Sequence, residues 1–245
     1  MIFRRGNSTQ QQQAQCRHSV PYLCVVVPLL ALPFGTATYA ADNSFEIDGY
    51  VGVTSDYRDR GISMSDLDAS VRGSISVFHD SGFYGGVDAA LIDDQMGGDT
   101  KTEFFAGYSM DQGDYIYDFS AELDGIHGNG SDYYPEFKAS MARDFGLAFI
   151  RTGLAYAPEG RWNTPDVDSL YAYTDLEIPV PTFPELTIIS RLGYDMRSDR
   201  SNLLDWSAGL SVFVDSFEVT LIYEDSSLDS EIAKGRFVFG TRFYF

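Results

Sequence analysis

The sequence predicts an all-β fold, a transmembrane up-and-down antiparallel β-barrel of about twelve strands. Apolar residues recur at every second position, tight turns alternate with longer connections, and aromatic residues cluster at the ends of the apolar faces. The chain is strongly acidic, because it has 36 Asp and Glu residues and only 17 Lys and Arg residues, which gives a formal net charge of −19. Phosphate groups would repel such a chain, so nucleic acid is excluded as a partner.

Residues 1–40 have the features of a cleaved signal peptide. Arg4, Arg5 and Arg17 supply the positive segment, residues 20–34 are apolar, and the small residue Ala40 ends the predicted cleavage site. Residues 41–245 would then form one barrel domain. Cys16 and Cys24 are the only cysteines in the sequence, so the mature chain would carry no disulfide and no thiolate metal site.

Period-two alternation marks each predicted strand. In the last strand, Phe237, Phe239, Thr241, Phe243 and Phe245 share one face, and the residues between them share the other. The same pattern predicts strands near residues 45–53, 67–77, 83–91, 102–110, 115–123, 133–143, 147–156, 169–178, 185–195, 204–213, 217–224 and 236–245.

The connections between these strands alternate in length. Five are short and rich in Asp, Gly or Pro, near residues 79–82, 111–114, 144–146, 179–185 and 215–216. Six are longer, near residues 55–66, 92–101, 124–132, 157–168, 196–203 and 225–234. Short turns on one rim and long loops on the other are typical of outer-membrane barrels.

Periodicity alone leaves open whether the apolar face points to lipid or into a soluble, lipocalin-like core. Aromatic residues at both ends of that face favour lipid, since such rings concentrate at membrane interfaces. Phe83, Tyr115, Phe217 and Phe245 would lie at the short-turn rim, and Tyr57, Tyr156, Tyr194 and Tyr223 at the long-loop rim. The last strand must pair with the first in lipid. We interpret its Phe237, Phe239, Phe243 and Phe245 as a signal for the barrel-assembly machinery.

A segment near the start of the mature chain carries a family resemblance. It comprises residues 53–58, Arg60 to Ser63, and residues 79–84 with Gly86. These pieces resemble the opening signature of the TorF-type family of proteobacterial porin-like proteins, whose substrates are unknown. The resemblance implies an outer-membrane β-barrel and a pore, located in a Gram-negative bacterium.

Strand parity selects the charged side chains of the inner face, of which ten are acidic and six basic: Arg72, Asp88, Glu103, Asp118, Glu122, Glu136, Lys138, Arg151, Asp175, Glu177, Arg191, Asp205, Glu218, Glu224, Arg236 and Arg242. Arg58 and Arg60, with Asp56 and Asp59, lie at the outer end of the first strand, as a constriction or as a charge-neutral rim cluster. An acidic lining favours passage of cations. We therefore expect a porin-like channel for small hydrophilic solutes, either open or plugged by its own charges.

No residue pattern indicates catalysis or a cofactor. His79 sits in a predicted turn, and His127 lies in a glycine-rich loop that would hold a catalytic triad poorly. Three alternatives remain: a non-conducting structural or adhesive barrel whose outer loops bind partners or divalent cations, an outer-membrane enzyme using His127, and a soluble periplasmic binder. The expected surroundings are outer-membrane lipid and lipopolysaccharide.

Overall fold

The computed structural model describes residues 44–245, so the predicted signal peptide lies outside the described residues. The all-β prediction is confirmed, because twelve antiparallel strands close into one barrel. These strands are β1 (Phe45–Thr54), β4 (Ser70–His79), β5 (Phe83–Leu91), β6 (Gly98–Gln112), β7 (Tyr115–Gly128), β8 (Ser131–Asp144), β9 (Phe149–Ala157), β12 (Ser169–Val180), β13 (Phe183–Arg197), β14 (Leu203–Val214), β15 (Phe217–Ser226) and β16 (Arg236–Tyr244).

The remaining elements are short and lie in the connections. They are β2 (Arg58–Asp59), β3 (Ile62–Ser63), β10 (Gly160–Arg161), β11 (Thr164–Pro165) and the 3₁₀ turn η1 (Glu231–Ala233). Within residues 44–245, no helix is long and apolar enough to cross a membrane.

The first and last strands close the barrel. Their register places Tyr50 opposite Tyr244 and Thr54 opposite Gly240. Gly49 and Phe245 also exchange backbone hydrogen bonds, with N···O distances of 3.1 and 3.0 Å. The predicted pairing of the last strand with the first is therefore present, and this seam leaves no open edge between β1 and β16 at these residues.

Several strands extend farther than alternation predicts. The connection expected at residues 124–132 is a two-residue turn, because β7 continues to Gly128 and β8 begins at Ser131. β4 begins at Ser70 instead of Leu67, because Asp66 and Leu67 have φ angles of 49° and 71° that no strand residue adopts. β7 and β8 consequently pair with each other beyond the end of the β8–β9 pairing, which stops at Phe137 and Tyr156.

The two faces of the wall differ as a membrane barrel requires. Leu210 in β14 and its neighbour Leu221 in β15 are 44% and 47% exposed, whereas Ser211 and Thr220 on the other face are each 8% exposed. The apolar side chains therefore point outward and the polar ones inward, which contradicts the soluble alternative. The prediction that Tyr57 belongs to the outer aromatic ring at the long-loop rim is wrong, because its side chain is 1% exposed and lies inside the mouth.

A charge placed on the outer face tests this orientation. Leu210 lies about midway along its strand, so Leu210→Arg should lower the free energy of unfolding from lipid by about 2–4 kcal/mol. Equilibrium unfolding in vesicles measures the change, with Leu210→Ala as the size control. Ser207→Arg, on the inner face of the same strand, should lower the free energy of unfolding clearly less. Equal costs at the two positions would contradict the assignment of faces.

Candidate functional site

The outer end of the lumen is filled by the first connection, residues 55–69, which we call loop 1. Its side chains Tyr57, Ile62 and Met64 are 1%, 2% and 0% exposed. They join a buried cluster whose other members come from strand ends and other connections: Ala90, Ile92, Ile126, Trp162, Leu203 and Ala233. Loop 1 therefore closes the barrel at the long-loop rim. The sequence left open whether the lumen is open or plugged by its own charges, and in the described structure it is loop 1 that fills its outer end.

A tight hairpin shapes loop 1. β2 and β3 pair through Asp59 and Ile62, and the two residues between them, Arg60 and Gly61, have φ angles of 49° and 76°. Two consecutive positive φ angles define the two-residue turn that favours glycine at its second position. A Cβ on Gly61 would also come within 2.9 Å of the Asp225 backbone oxygen, so glycine is required here for space as well.

Ion pairs anchor the hairpin to the barrel wall. Within loop 1, Arg58 Nη1 lies 3.0 Å from Asp56 Oδ2. Arg58 Nε also faces Glu224 of β15 at 3.8 Å, and Arg60 pairs with Glu136 of β8. The expected rim cluster thus finds most of its partners outside itself, on strands on different sides of the lumen. Breaking one partner of such a buried pair is costly, because it leaves an uncompensated charge.

A second connection, residues 158–168, also contacts loop 1. Arg161 pairs with Asp59 and reaches Glu136 at 3.1 Å, and Trp162 Nε1 donates to Asp59 Oδ2 at 3.0 Å. Burial by itself would raise the pKa of the Asp59 carboxyl, but the Arg161 guanidinium, with Lys101 and Arg60, holds that pKa well below its ordinary value of 3.8. Asp59 therefore stays ionised in the closed mouth.

The strands below the mouth carry a further charge network. Lys101 is 1% exposed and its Nζ lies 2.7 Å from Asp124 and 3.8 Å from Glu103. Lys138 pairs with Glu122 and lies 3.4 Å from Glu136. Sequence reasoning missed Lys101 because it began β6 at residue 102. It missed Arg161 because nothing in the sequence links that residue to Asp59.

The other inner-face residues predicted from parity also lie on the lumen side of their strands. Arg72 donates to the Tyr50 hydroxyl at 3.0 Å, and Tyr84 donates to Asp118 at 2.9 Å. Asp88 is 7% exposed. Arg236 lies high on β16, with Nε 3.8 Å from Asp56. The outward Phe237, Phe239, Phe243 and Phe245 are between 39% and 69% exposed, and their role in assembly stays a prediction.

Below loop 1 the lumen widens into a cavity of about 640 Å³, which we call the lumen cavity. It runs from Arg58, Arg60 and Gly61 at its closed end to residues of the short turns, including Gly146 and Pro184. Its lining carries five arginines and seven carboxylates and so has a small acidic excess: Arg58, Arg60, Arg151, Arg191 and Arg242 against Asp144, Asp175, Glu177, Glu185, Asp205, Glu218 and Glu224.

Two paired groups dominate the cavity wall. Arg191 holds Asp175 through Nε at 2.6 Å and Nη2 at 2.9 Å, a two-point contact that fixes both side chains. Arg242 Nη1 lies 2.9 Å from Glu218, which also accepts hydrogen bonds from Tyr244 at 2.7 Å and Ser211 at 2.7 Å. The wall therefore presents donors and acceptors side by side.

The histidine of the outer rim has no triad geometry. His127 Nδ1 lies 2.9 Å from Ser131 Oγ, and Nε2 lies 2.8 Å from Thr102 Oγ1. Both ring nitrogens thus contact hydroxyls, whereas a nucleophile triad orients its histidine with a carboxylate. Among residues 44–245, no group of three or more His, Cys, Asp or Glu side chains is arranged to hold a metal ion.

This architecture defines the class of protein: a closed twelve-stranded barrel with an apolar exterior and a polar lumen is an outer-membrane β-barrel of the porin type. Residues 38–242 match a family described as bacterial proteins of unknown function (Gcw_chp), and the chain belongs to that family. The finer assignment to the TorF-type group stays a prediction. No curated protein is similar enough in sequence to match.

Solved structures share the fold at low sequence identity. Two structures of the KdgM porin, one alone and one in complex with disordered oligogalacturonate, are each 13% identical with a TM-score of 0.55. The similarity covers 81% of this chain and 98% of each KdgM chain. LpxR from Salmonella typhimurium is 8% identical, with a TM-score of 0.48, over 81% of this chain and 99% of its own. The fold and the outward apolar band locate the protein in the outer membrane of a Gram-negative bacterium.

The ionised state of Asp59 gives a pH test of the closed mouth. A depressed pKa stabilises the closed arrangement fully above the unfolded value of 3.8, and this stabilisation is lost as the pH falls through the lower folded value. In a Trp206→Phe background, acrylamide quenching of Trp162 reports the mouth, since these are the two tryptophans of the sequence.

We expect Asp59→Asn to raise this quenching relative to the parent by a constant amount between pH 7 and about pH 5, and the difference to shrink below about pH 4. Asp132→Asn, at an exposed position, is the matched control and should match the parent at every pH. A difference that grows on acidification would contradict the assignment.

Proposed function

We propose that the protein is a porin-like channel for passive diffusion of small hydrophilic solutes, neutral or cationic. The observation that carries the proposal is the polar, charged lumen cavity inside a closed membrane barrel. The sixteen inner-face positions predicted from parity carry ten acidic and six basic side chains. With the residues that the structure adds at the mouth and on β6 and β7 (Asp56, Asp59 and Asp124, and Arg58, Arg60, Lys101 and Arg161), about thirteen acidic side chains face about ten basic ones, so the lumen keeps an acidic excess. Such an excess between low-dielectric walls attracts cations and repels anions.

The comparison with KdgM supports a channel but not the same ligand. One KdgM structure holds an oligogalacturonate, which is an acidic saccharide. The acidic excess of this lumen would repel such an acidic ligand. We therefore propose neutral or cationic solutes, with no catalytic step and no cofactor.

Loop 1 makes conduction conditional. With Met64 at 0% exposure inside the mouth, a solute passes only when loop 1 moves out of the barrel. The same closure favours a second candidate, a non-conducting barrel whose outer loops bind partners, lipopolysaccharide or divalent cations. Assembly through the barrel-assembly machinery fits either candidate. Conductance separates the two.

Reversal potentials test the selectivity. The refolded full-length chain, or its mature form, is inserted in a planar bilayer under a KCl gradient. We expect openings whose reversal potential indicates preference for K⁺ over Cl⁻, because acids exceed bases along the lumen. A reversal potential on the Cl⁻ side would overturn the cation preference, and the absence of any opening would favour the non-conducting candidate.

A glycine substitution tests whether loop 1 closes the channel. Gly61→Val forces a side chain toward the Asp225 oxygen at a positive φ angle, so loop 1 should leave the mouth and mean conductance should rise several-fold. The charge is unchanged, so the K⁺ preference should persist. Gly130→Val is the matched control, since a Cβ there meets nothing within 4 Å. Equal conductance in Gly61→Val and the parent would contradict closure by loop 1.

A further inference from the structure

The lumen cavity has the size and shape of a binding site as well as a passage. Its volume of about 640 Å³ falls within the range of pockets that enclose small organic ligands. Loop 1 closes one end through Arg58, Arg60 and Gly61, so a molecule entering from the short-turn rim stops against a structured wall. A closed end holds a ligand in contact with a fixed set of groups, which an open pore does not.

The charge balance of this wall determines which ligands it suits. Arg191 is held by Asp175 through two contacts, Arg242 by Glu218, and Arg58 faces Glu224. Three of the five lining arginines are therefore held by lining carboxylates, and the seven carboxylates leave a small acidic excess. An anionic ligand meets this acidic excess, and an ionic ligand of either sign must compete with the existing pairs, whereas a neutral ligand does neither.

Hydroxyl groups match such a surface. Each hydroxyl both donates and accepts, so adjacent hydroxyls can bond to a guanidinium and to its carboxylate partner together. The Arg191 and Asp175 side chains are 24% and 17% exposed, which leaves their edges within reach of the cavity. The Glu218 cluster with Arg242 and Tyr244 offers a second such edge.

Aromatic rings provide the apolar part of the site. Phe213 and Tyr244 lie 5.5 Å apart between ring centroids at an angle of 48°, and both line the cavity. Phe149 is also part of the lining. Small-molecule sites combine such apolar surface with a few fixed polar groups. A saccharide presents the same combination, since its ring has C–H faces and a perimeter of hydroxyls.

We propose that the lumen cavity is a binding site for a neutral polyhydroxylated solute of mono- or disaccharide size. Asp175 and Arg191 on β12 and β13, and Glu218 and Tyr244 on β15 and β16, bind its hydroxyls, and Phe213 on β14 between them packs against its ring. The assignment names a solute class for the proposed channel and so rests on that function. Binding in detergent requires no conduction, so the two can fail separately.

Titration calorimetry on the refolded protein in detergent micelles tests the site. The probes are maltose as the neutral saccharide, galacturonate as the anion and glucosamine as the cation. We expect saturable binding of maltose, with both charged sugars weaker. Asp175→Asn should lower the affinity for maltose about fivefold, as expected for one lost hydrogen bond. Phe213→Ala should lower that affinity at least as much. Asp132→Asn, outside the cavity, should leave the affinity unchanged.

Each outcome separates the proposals. No saturable maltose binding by the parent protein overturns the site, whether or not the channel conducts. Galacturonate or glucosamine binding more tightly than maltose overturns the neutral ligand class. Maltose binding without conductance supports the binding site and overturns the proposed channel. Far-UV circular dichroism confirms folding of the variants, and if Asp175→Asn fails to fold, Phe213→Ala and Glu218→Gln test the same site.

Discussion

The structure depends on one constraint, which is that every backbone N–H and C=O group in a lipid environment needs a partner within the protein. Twelve strands meet it by closing on themselves, with β1 paired to β16 and Phe245 still bonded to Gly49. Closure forces strict alternation, since each strand has one face toward lipid and one toward the lumen. The outward leucines, valines and phenylalanines and the inward charges follow from that division.

The interior of the barrel uses charge in two different ways. At the mouth, Arg58, Arg60 and Arg161 join loop 1 to strands on several sides, and an apolar cluster around Tyr57 and Met64 excludes water from the same place. Low dielectric strengthens those pairs and makes an unpaired member costly. In the lumen cavity, partly exposed pairs such as Arg191 with Asp175 stay within reach of a solute. The same residue types therefore form a closure in one place and, in our proposal, a binding surface in the other.

These two regions meet at loop 1. Arg58, Arg60 and Gly61 belong to the closure and also form the closed end of the cavity. A solute in the cavity would contact the segment that must move for passage. The proposed channel and the proposed site are for this reason parts of one arrangement, in which a short hairpin separates the lumen cavity from the outer medium.

Alternation predicted about twelve strands and grouped Arg72, Asp88 and Glu218 on the polar face, because in a strand every second side chain shares a face. The lengths of the connections and the aromatic residues at the strand ends were needed to predict a membrane barrel with that face inward. Sequence could not place Asp59 against Arg161, since those residues are 102 positions apart in irregular connections and no local pattern joins them. It likewise missed the extension of β7 and β8 across a glycine-rich segment, where strand pairing outweighs weak local preference. Whether the lumen is open or closed was decided only by tertiary contacts, because that depends on how loop 1 packs against side chains from many strands at once.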